Sequence, residues 1–193
     1  MPIQTRLVIA LAAMGLAFSA GGAAAQEDVA EGQVQIASVE ERLRRVEDTL
    51  AIQAVIIAYA AHIDAHDFGA YADLFAPDGI WQNGNTIKRG RDEIRGLLVG
   101  LYGEPAEDFV NAESYHLVSN PRIVLDGDRA TATSRHLLIM RGEGGQPVPE
   151  LTGFYEDEFV RIDGEWKIAR RVDNPIMPTR EEWLAEMQAR RAN

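Results

Sequence analysis

The chain has 193 residues, 46% hydrophobic and 25% charged, with no cysteine. That balance fits one globular domain rather than a disordered or disulfide-stapled chain, and it excludes thiol catalysis, thiolate zinc sites and cysteine-ligated iron–sulfur clusters. The net charge of −11, from 19 basic and 30 acidic residues, repels phosphate backbones and anionic headgroups. Neither nucleic acid nor a membrane surface is therefore an expected partner, whereas small neutral or weakly acidic ligands are.

At the N-terminus Arg6 precedes an apolar run from Leu7 to Phe18, and Ala23-Ala24-Ala25 precede Gln26. This is the pattern of a signal peptide cleaved near Ala25, which predicts a periplasmic or secreted protein; the alternative is an apolar N-terminal helix. Residues 26–38 read as a polar linker. Ser38, followed by Glu40 and Glu41, marks a helix start. Leu43, Val46, Leu50, Ile52, Ile56, Tyr59 and Ile63 then form an apolar stripe running to about Ala65. Phe68, Tyr71, Leu74 and Phe75 predict a second short helix ending at Pro77-Asp78-Gly79. A strand at Ile80–Gln82, a turn at Asn83-Gly84, a short return strand at Thr86–Lys88 and a third helix from Gly90 follow. From His116 the period changes to two, giving four long strands in an antiparallel meander: Leu117–Leu125, Ala130–Met140, Leu151–Ile162 and Trp166–Val172. Thr179–Ala192 reads as a terminal helix. Helices first and strands afterwards predict an α+β fold, with a main domain over 39–176 and the C-terminal helix within 177–193.

No phosphate-binding loop, dinucleotide fingerprint, GxSxG or HExxH is present, so no cofactor and no metal is expected. His62 and His66 are spaced to share a helix face, but a pair of solvated polar residues is the plainer reading. Tyr59, His62 and Asp64 set a phenol, an imidazole and a carboxylate on the last turns of an apolar helix. Five residues turn the helix through about 500°, so Tyr59 and Asp64 converge only if it loosens near its end. His116 opens the first long strand. Facing that helix, it can donate a ring N–H to Asp64 and act as a general base; the alternative is a strand histidine bonded for structure.

These residues carry a resemblance. The segments AIQAVIIAYAAHIDAHDFGAYADLFAPDGIW, GRDEI, YHLVSNPRIVLDGDRATATS and FYEDEFVRIDGEWKIARR are similar to the SnoaL-like branch of the nuclear transport factor 2-like superfamily, over roughly Val39–Val172. The resemblance implies a cone-shaped α+β barrel, a curved antiparallel sheet wrapped by N-terminal helices around one apolar pocket, usually in a dimer or trimer. It implies chemistry without a cofactor, as in scytalone dehydratase, bile-acid 7α-dehydratase, a hexachlorocyclohexane dehydrochlorinase and the γ-formaldehyde lyases of lignin-derived aromatics. It places the orienting carboxylate on Asp64, the base on His116 and an acid or oxyanion donor on Tyr59. It also points to an arginine late in the last strand, Arg171, although strict alternation turns Arg170 inward unless a bulge intervenes, and to His136 as a second strand histidine. Trp81, Phe75, Phe154 and Tyr155 are candidate pocket aromatics, unless they are simply core. The expected activity is elimination or retro-aldol cleavage, with loss of water or formaldehyde, on an aromatic or polycyclic small molecule. An isomerase or cyclase, or a non-catalytic ligand-binding protein, are the alternatives.

Overall fold

A change of phase in the apolar pattern decides how the first helix is used. Ile52, Ile56, Tyr59 and Ile63 recur at spacings of four, three and four, and all are buried. Leu43, Val46 and Leu50 keep similar spacing, but the two-residue step from Leu50 to Ile52 turns the series about 200° around the axis. Those three side chains, with Val39 and Ile57, are exposed. The single stripe expected from Leu43 to Ile63 is thus two faces, of which only the later one is core.

The computed structural model describes residues 19–191. Helix α1 runs Ser19–Asp64 and passes through Ser38, the expected start, because the Ala-, Glu- and Gln-rich residues before it favour helix. Arg6 and the apolar run of the expected signal peptide lie outside the described residues. The described residues divide into two units between Arg45 and Val46, and the remaining elements all belong to the second. By length and composition Ser38–Asp64 is apolar enough to cross a membrane, yet its later turns supply core residues.

Helix α2 (Phe68–Asp73) is capped by Asp67, whose carboxylate accepts the Ala70 N–H at 2.9 Å. It stops short of Phe75, which instead opens strand β1 (Phe75–Asn83). Pro77-Asp78-Gly79 lie within that strand, as a break in its register between Phe75 and Ile80. Only glycine fits at 79, where a Cβ would stand 2.9 Å from the Ile168 carbonyl oxygen. Strand β2 (Thr86–Arg89), helix α3 (Gly90–Tyr102), strands β3 (Ser114–Asp126), β4 (Arg129–Arg141), β5 (Pro147–Ile162) and β6 (Glu165–Met177), and helix α4 (Arg180–Arg191) follow. Helix α4 opens with a capping box: Glu182 accepts the Thr179 N–H at 2.8 Å, and the Thr179 hydroxyl faces the Glu182 N–H at 3.4 Å.

The six strands form one sheet in the order β2-β1-β6-β5-β4-β3. The expected meander is β3 to β6, while β1 joins β6 in parallel. A register shift between Ser119 and Arg122, with Asn120 at φ 54°, marks a bulge that bends β3. Phe159, Trp166 and Ile168 of the sheet pack with Ile52 and Ile56 of α1, Phe68 and Tyr71 of α2, and Ile94 of α3. Asp48, buried beside this core, accepts from Trp166 Nε1 at 3.1 Å and Arg161 Nη2 at 2.5 Å, which satisfies its charge.

Candidate active site

Helix α1 ends in a turn that delivers Asp64 to β3. The His66 N–H donates to Ile63 O at 3.1 Å and the Asp67 N–H to His62 O at 2.9 Å, with His66 left-handed at φ 56°; this pair of bonds is the Schellman closure of a helix. It takes His66 out of the helix, so His62 and His66 do not share a helical face. Asn111 then ties the start of β3 to the helix end. Its Nδ2 donates to the Asp64 carbonyl at 2.9 Å and to Ser114 Oγ at 3.1 Å, while its Oδ1 accepts the N–H groups of Glu113 and Ser114, each at 3.0 Å.

Across this junction the Asp64 carboxylate accepts the His116 backbone N–H at 3.0 and 3.2 Å, and its Oδ1 lies 2.6 Å from His116 Nδ1. An ionised carboxylate only accepts, so Nδ1 carries the proton and Nε2 keeps a lone pair. His116 lines a cavity of about 250 Å³, walled by Leu97, Leu98 and Leu101 of α3, Leu138 and Leu151 of the sheet, and Trp183 and Leu184 of α4. Tyr59, Trp81, Tyr155 and His136 line it too. Helix α1 stays helical to Asp64, so Tyr59 and Asp64 do not converge: Tyr59 reaches the cavity directly, and Asp64 acts on it through His116. The Tyr59 hydroxyl accepts from Trp81 Nε1 at 3.0 Å, which leaves its proton to donate. Burial pushes the Tyr59 phenol up, against the pull of the Arg171 charge.

His116 faces Leu138 across the ladder and His136 faces Val118, so the two imidazoles are diagonal neighbours on one face, roughly 7 Å apart at the backbone. His136 is buried, with Tyr155 stacked on it at 4.3 Å. Its Nε2 lies 3.0 Å from Asp173 Oδ1, yet out of line for a hydrogen bond, so both atoms lack an aligned partner. Gly153 makes room for the ring, since a Cβ there would stand 2.6 Å from His136 Nε2 and 2.4 Å from the Asn174 carbonyl oxygen.

Neither arginine expected at the pocket lines it. The pairing of Phe159 with Ile168 and of Glu158 with Arg170 leaves one extra residue in β6, and that bulge turns Arg171 inward. There it is fully buried beneath the aromatics, 3.9 Å from the Tyr59 ring centre and 4.4 Å from that of Tyr155, and paired with Asp157 at 2.6 and 2.7 Å. Burial opposes its charge, but Asp157 and the two phenols outweigh that and raise its pKa. Arg170 faces the other way, to Gln82 at 2.8 Å and Glu158 at 3.6 Å. Phe75 is core rather than pocket, and Phe154 packs under Arg135. The second follows from strand alternation, which puts Phe154 on the face opposite Tyr155.

Residues 44–172 match the SnoaL-like domain. The chain belongs to this family. An uncharacterised protein of Mycobacterium tuberculosis is 29% identical over 135 residues, 66% of this chain and 85% of that one. Among solved structures, an NTF2-like protein with a cystatin-like fold from Novosphingobium aromaticivorans aligns with TM-score 0.65 at 22% identity, over 74% of this chain and 91% of its own. A putative scytalone dehydratase from the same organism aligns with TM-score 0.57 at 28% identity, over 69% and 87%. The fold of this SnoaL-like chain is accordingly NTF2-like, as the sequence resemblance implies.

Sequence reasoning missed Asn111, Asp173, Asn83 and Arg180, which complete the polar part of the site. Asn111 had a readable signal, an Asx residue three positions before a strand. Asp173 becomes inward-facing only after the β6 bulge, and Asn83 and Arg180 meet at 2.6 Å from positions 97 residues apart.

Proposed function

We propose that the chain is a cofactor-independent lyase that acts on a hydrophobic, phenolic or diaryl small molecule by elimination or retro-aldol cleavage. The observation that carries this reading is the Nε2 of His116, with Asp64 behind it, in a cavity whose leucines and aromatic side chains stand beside a polar edge of His136, Asn83, Asp173 and Arg180. An imidazole oriented by a carboxylate can serve as a general base, worth roughly 10²–10⁴-fold in rate. Membership of the SnoaL-like family and the putative scytalone dehydratase among the structural neighbours support the same chemistry.

In a dehydration, His116 Nε2 takes a proton from carbon, the electron pair forms the double bond, and the departing hydroxyl leaves as water with a proton from Tyr59 or His136. In a γ-formaldehyde lyase reaction on a diarylpropane diol, the specific activity we propose, His116 takes the proton of the terminal hydroxymethyl group. The carbon–carbon bond breaks to release formaldehyde, its electrons form the alkene, and the neighbouring hydroxyl leaves as water. The N-terminal signal pattern makes an exported, periplasmic or secreted enzyme part of this proposal, with the catalytic domain over 39–176.

Mass spectrometry of the purified protein, incubated with phenolic diols, hydroxylated polyketides and diarylpropane diols, tests it. A product lighter by water, or by water and formaldehyde, is expected. A product of unchanged mass would make the protein an isomerase or cyclase, and binding without turnover would make it a carrier.

A further inference from the structure

Arg180 is a cavity-lining cation without a carboxylate of its own. Arg91, Arg95, Arg141, Arg161, Arg170 and Arg171 all pair with Asp or Glu. Arg180 instead donates from Nε to Asn83 Oδ1 at 2.6 Å and from Nη2 to Thr86 Oγ1 at 2.9 Å, both neutral acceptors. Its stem lies against Gly84, where a Cβ would come within 2.9 Å of the Arg180 Cδ, so strands β1 and β2 hold the side chain in one place. No Asp or Glu among the described residues is within ion-pair distance of it. The neighbouring acid, Asp173, accepts from Asn83 Nδ2 through Oδ2 at 2.9 Å, and its Oδ1 sits 3.0 Å from His136 Nε2.

The donor count gives this arrangement a direction. A guanidinium has five N–H donors, and the bonds to Asn83 and Thr86 use the Nε hydrogen and one on Nη2. Both Nη1 hydrogens and the second on Nη2 remain, which is the end-on fork that matches the two oxygens of a carboxylate. A half-buried guanidinium held by neutral groups at the edge of an apolar cavity gains from an anion that meets it there. The rest of the wall, Leu97, Leu101, Trp183 and Leu184, suits a flat apolar body.

We infer that the substrate is an aromatic acid whose carboxylate is held by the free edge of Arg180. This rests on the cavity being the catalytic site proposed above, and adds the substrate's charged group. Isothermal titration of the full-length chain with 2-naphthoate and with its neutral isostere 2-naphthamide tests it. The carboxylate is expected to bind at least tenfold more tightly, and Arg180→Gln to abolish the difference. Thr86→Val, which removes one tether but no charge, is expected to keep it. Should Arg180→Gln fail to fold, Arg180→Lys, a point charge without the fork, is expected to lower the preference several-fold. Equal affinities, no binding of naphthoate, or a preference unchanged in either Arg180 variant overturns the inference. His116→Ala is expected to keep the preference, which separates the two readings. Turnover of neutral diols with naphthoate unbound sinks the acid and leaves the lyase, whereas naphthoate preference without turnover of any compound does the reverse.

Discussion

His116 and Asp64 meet through three bonds, and only the ring contact bears on the proposed base. The carboxylate holds the His116 backbone N–H as well as its ring, so removing it costs structure and removing the imidazole does not. His116→Ala is expected to lower turnover by roughly 10²-fold or more with an unchanged circular dichroism spectrum and melting temperature; unaltered turnover would refute the base. Asp64→Ala, by contrast, is expected to lose turnover and about 1 kcal/mol of stability in urea unfolding, because a part-buried N–H loses its acceptor. Tyr59 carries a pH prediction. Burial first, with Asp173 adding to it, raises its phenol above the ordinary value near 10, so the acid form persists through alkaline solution. The rate is therefore expected to show no Tyr59-dependent fall between pH 8 and 10, and a descending limb there that disappears in Tyr59→Phe would contradict the assignment.

At the scale of elements, a buried ion pair ties two strands together beneath the cavity, and a ring stack ties the end of α1 to the segment before β3. Arg171 on β6 and Asp157 on β5 face each other across the ladder with no solvent exposure. Cutting one partner strands a charge, so Asp157→Ala is expected to cost about 3–5 kcal/mol in denaturant unfolding, and Asp157→Leu combined with Arg171→Met much less. The other feature joins α1 to the segment before β3: His66 stacks on Phe109 at 4.0 Å and 13°, with Tyr102 at 4.9 Å and Phe68 at 5.1 Å. Burial lowers the His66 pKa, against a smaller opposing effect of Asp64. The folded state then binds its proton less readily than the unfolded chain, so stability is full above the unfolded value near 6.5 and declines as pH falls through the lower folded value. The melting temperature is expected to drop over that window and to drop less in His66→Phe; an identical pH profile in the two would discount the stack.

Over the second unit as a whole, the cavity is assembled from parts far apart in sequence: α1 supplies Tyr59, α3 its leucines, three strands the imidazoles and Asp173, and α4 Arg180, Trp183 and Leu184. Helix α4 touches the cavity, and none of its described side chains is in the buried core cluster. Removing residues 178–193 is accordingly expected to abolish ligand binding while the β-rich circular dichroism and cooperative unfolding persist. Loss of folding would show that α4 is structural instead.

The family resemblance pointed to the pair His116–Asp64, while the amino-acid pattern alone determined the meander and the order of helices and strands, because local periodicity is a short-range signal. It was insufficient for α1, where a two-residue phase step divides one stripe into an exposed and a buried face. It was also insufficient for β6, where a single extra residue decides that Arg171 rather than Arg170 turns inward. Only the tertiary structure placed Arg171 beneath the pocket rather than in it, set His136 beside His116, and brought Arg180 to Asn83. Bulges and long-range closure leave no period in the sequence. The side chains they redirect, Arg171, Asp173 and Arg180, carry charges in and beneath the cavity wall.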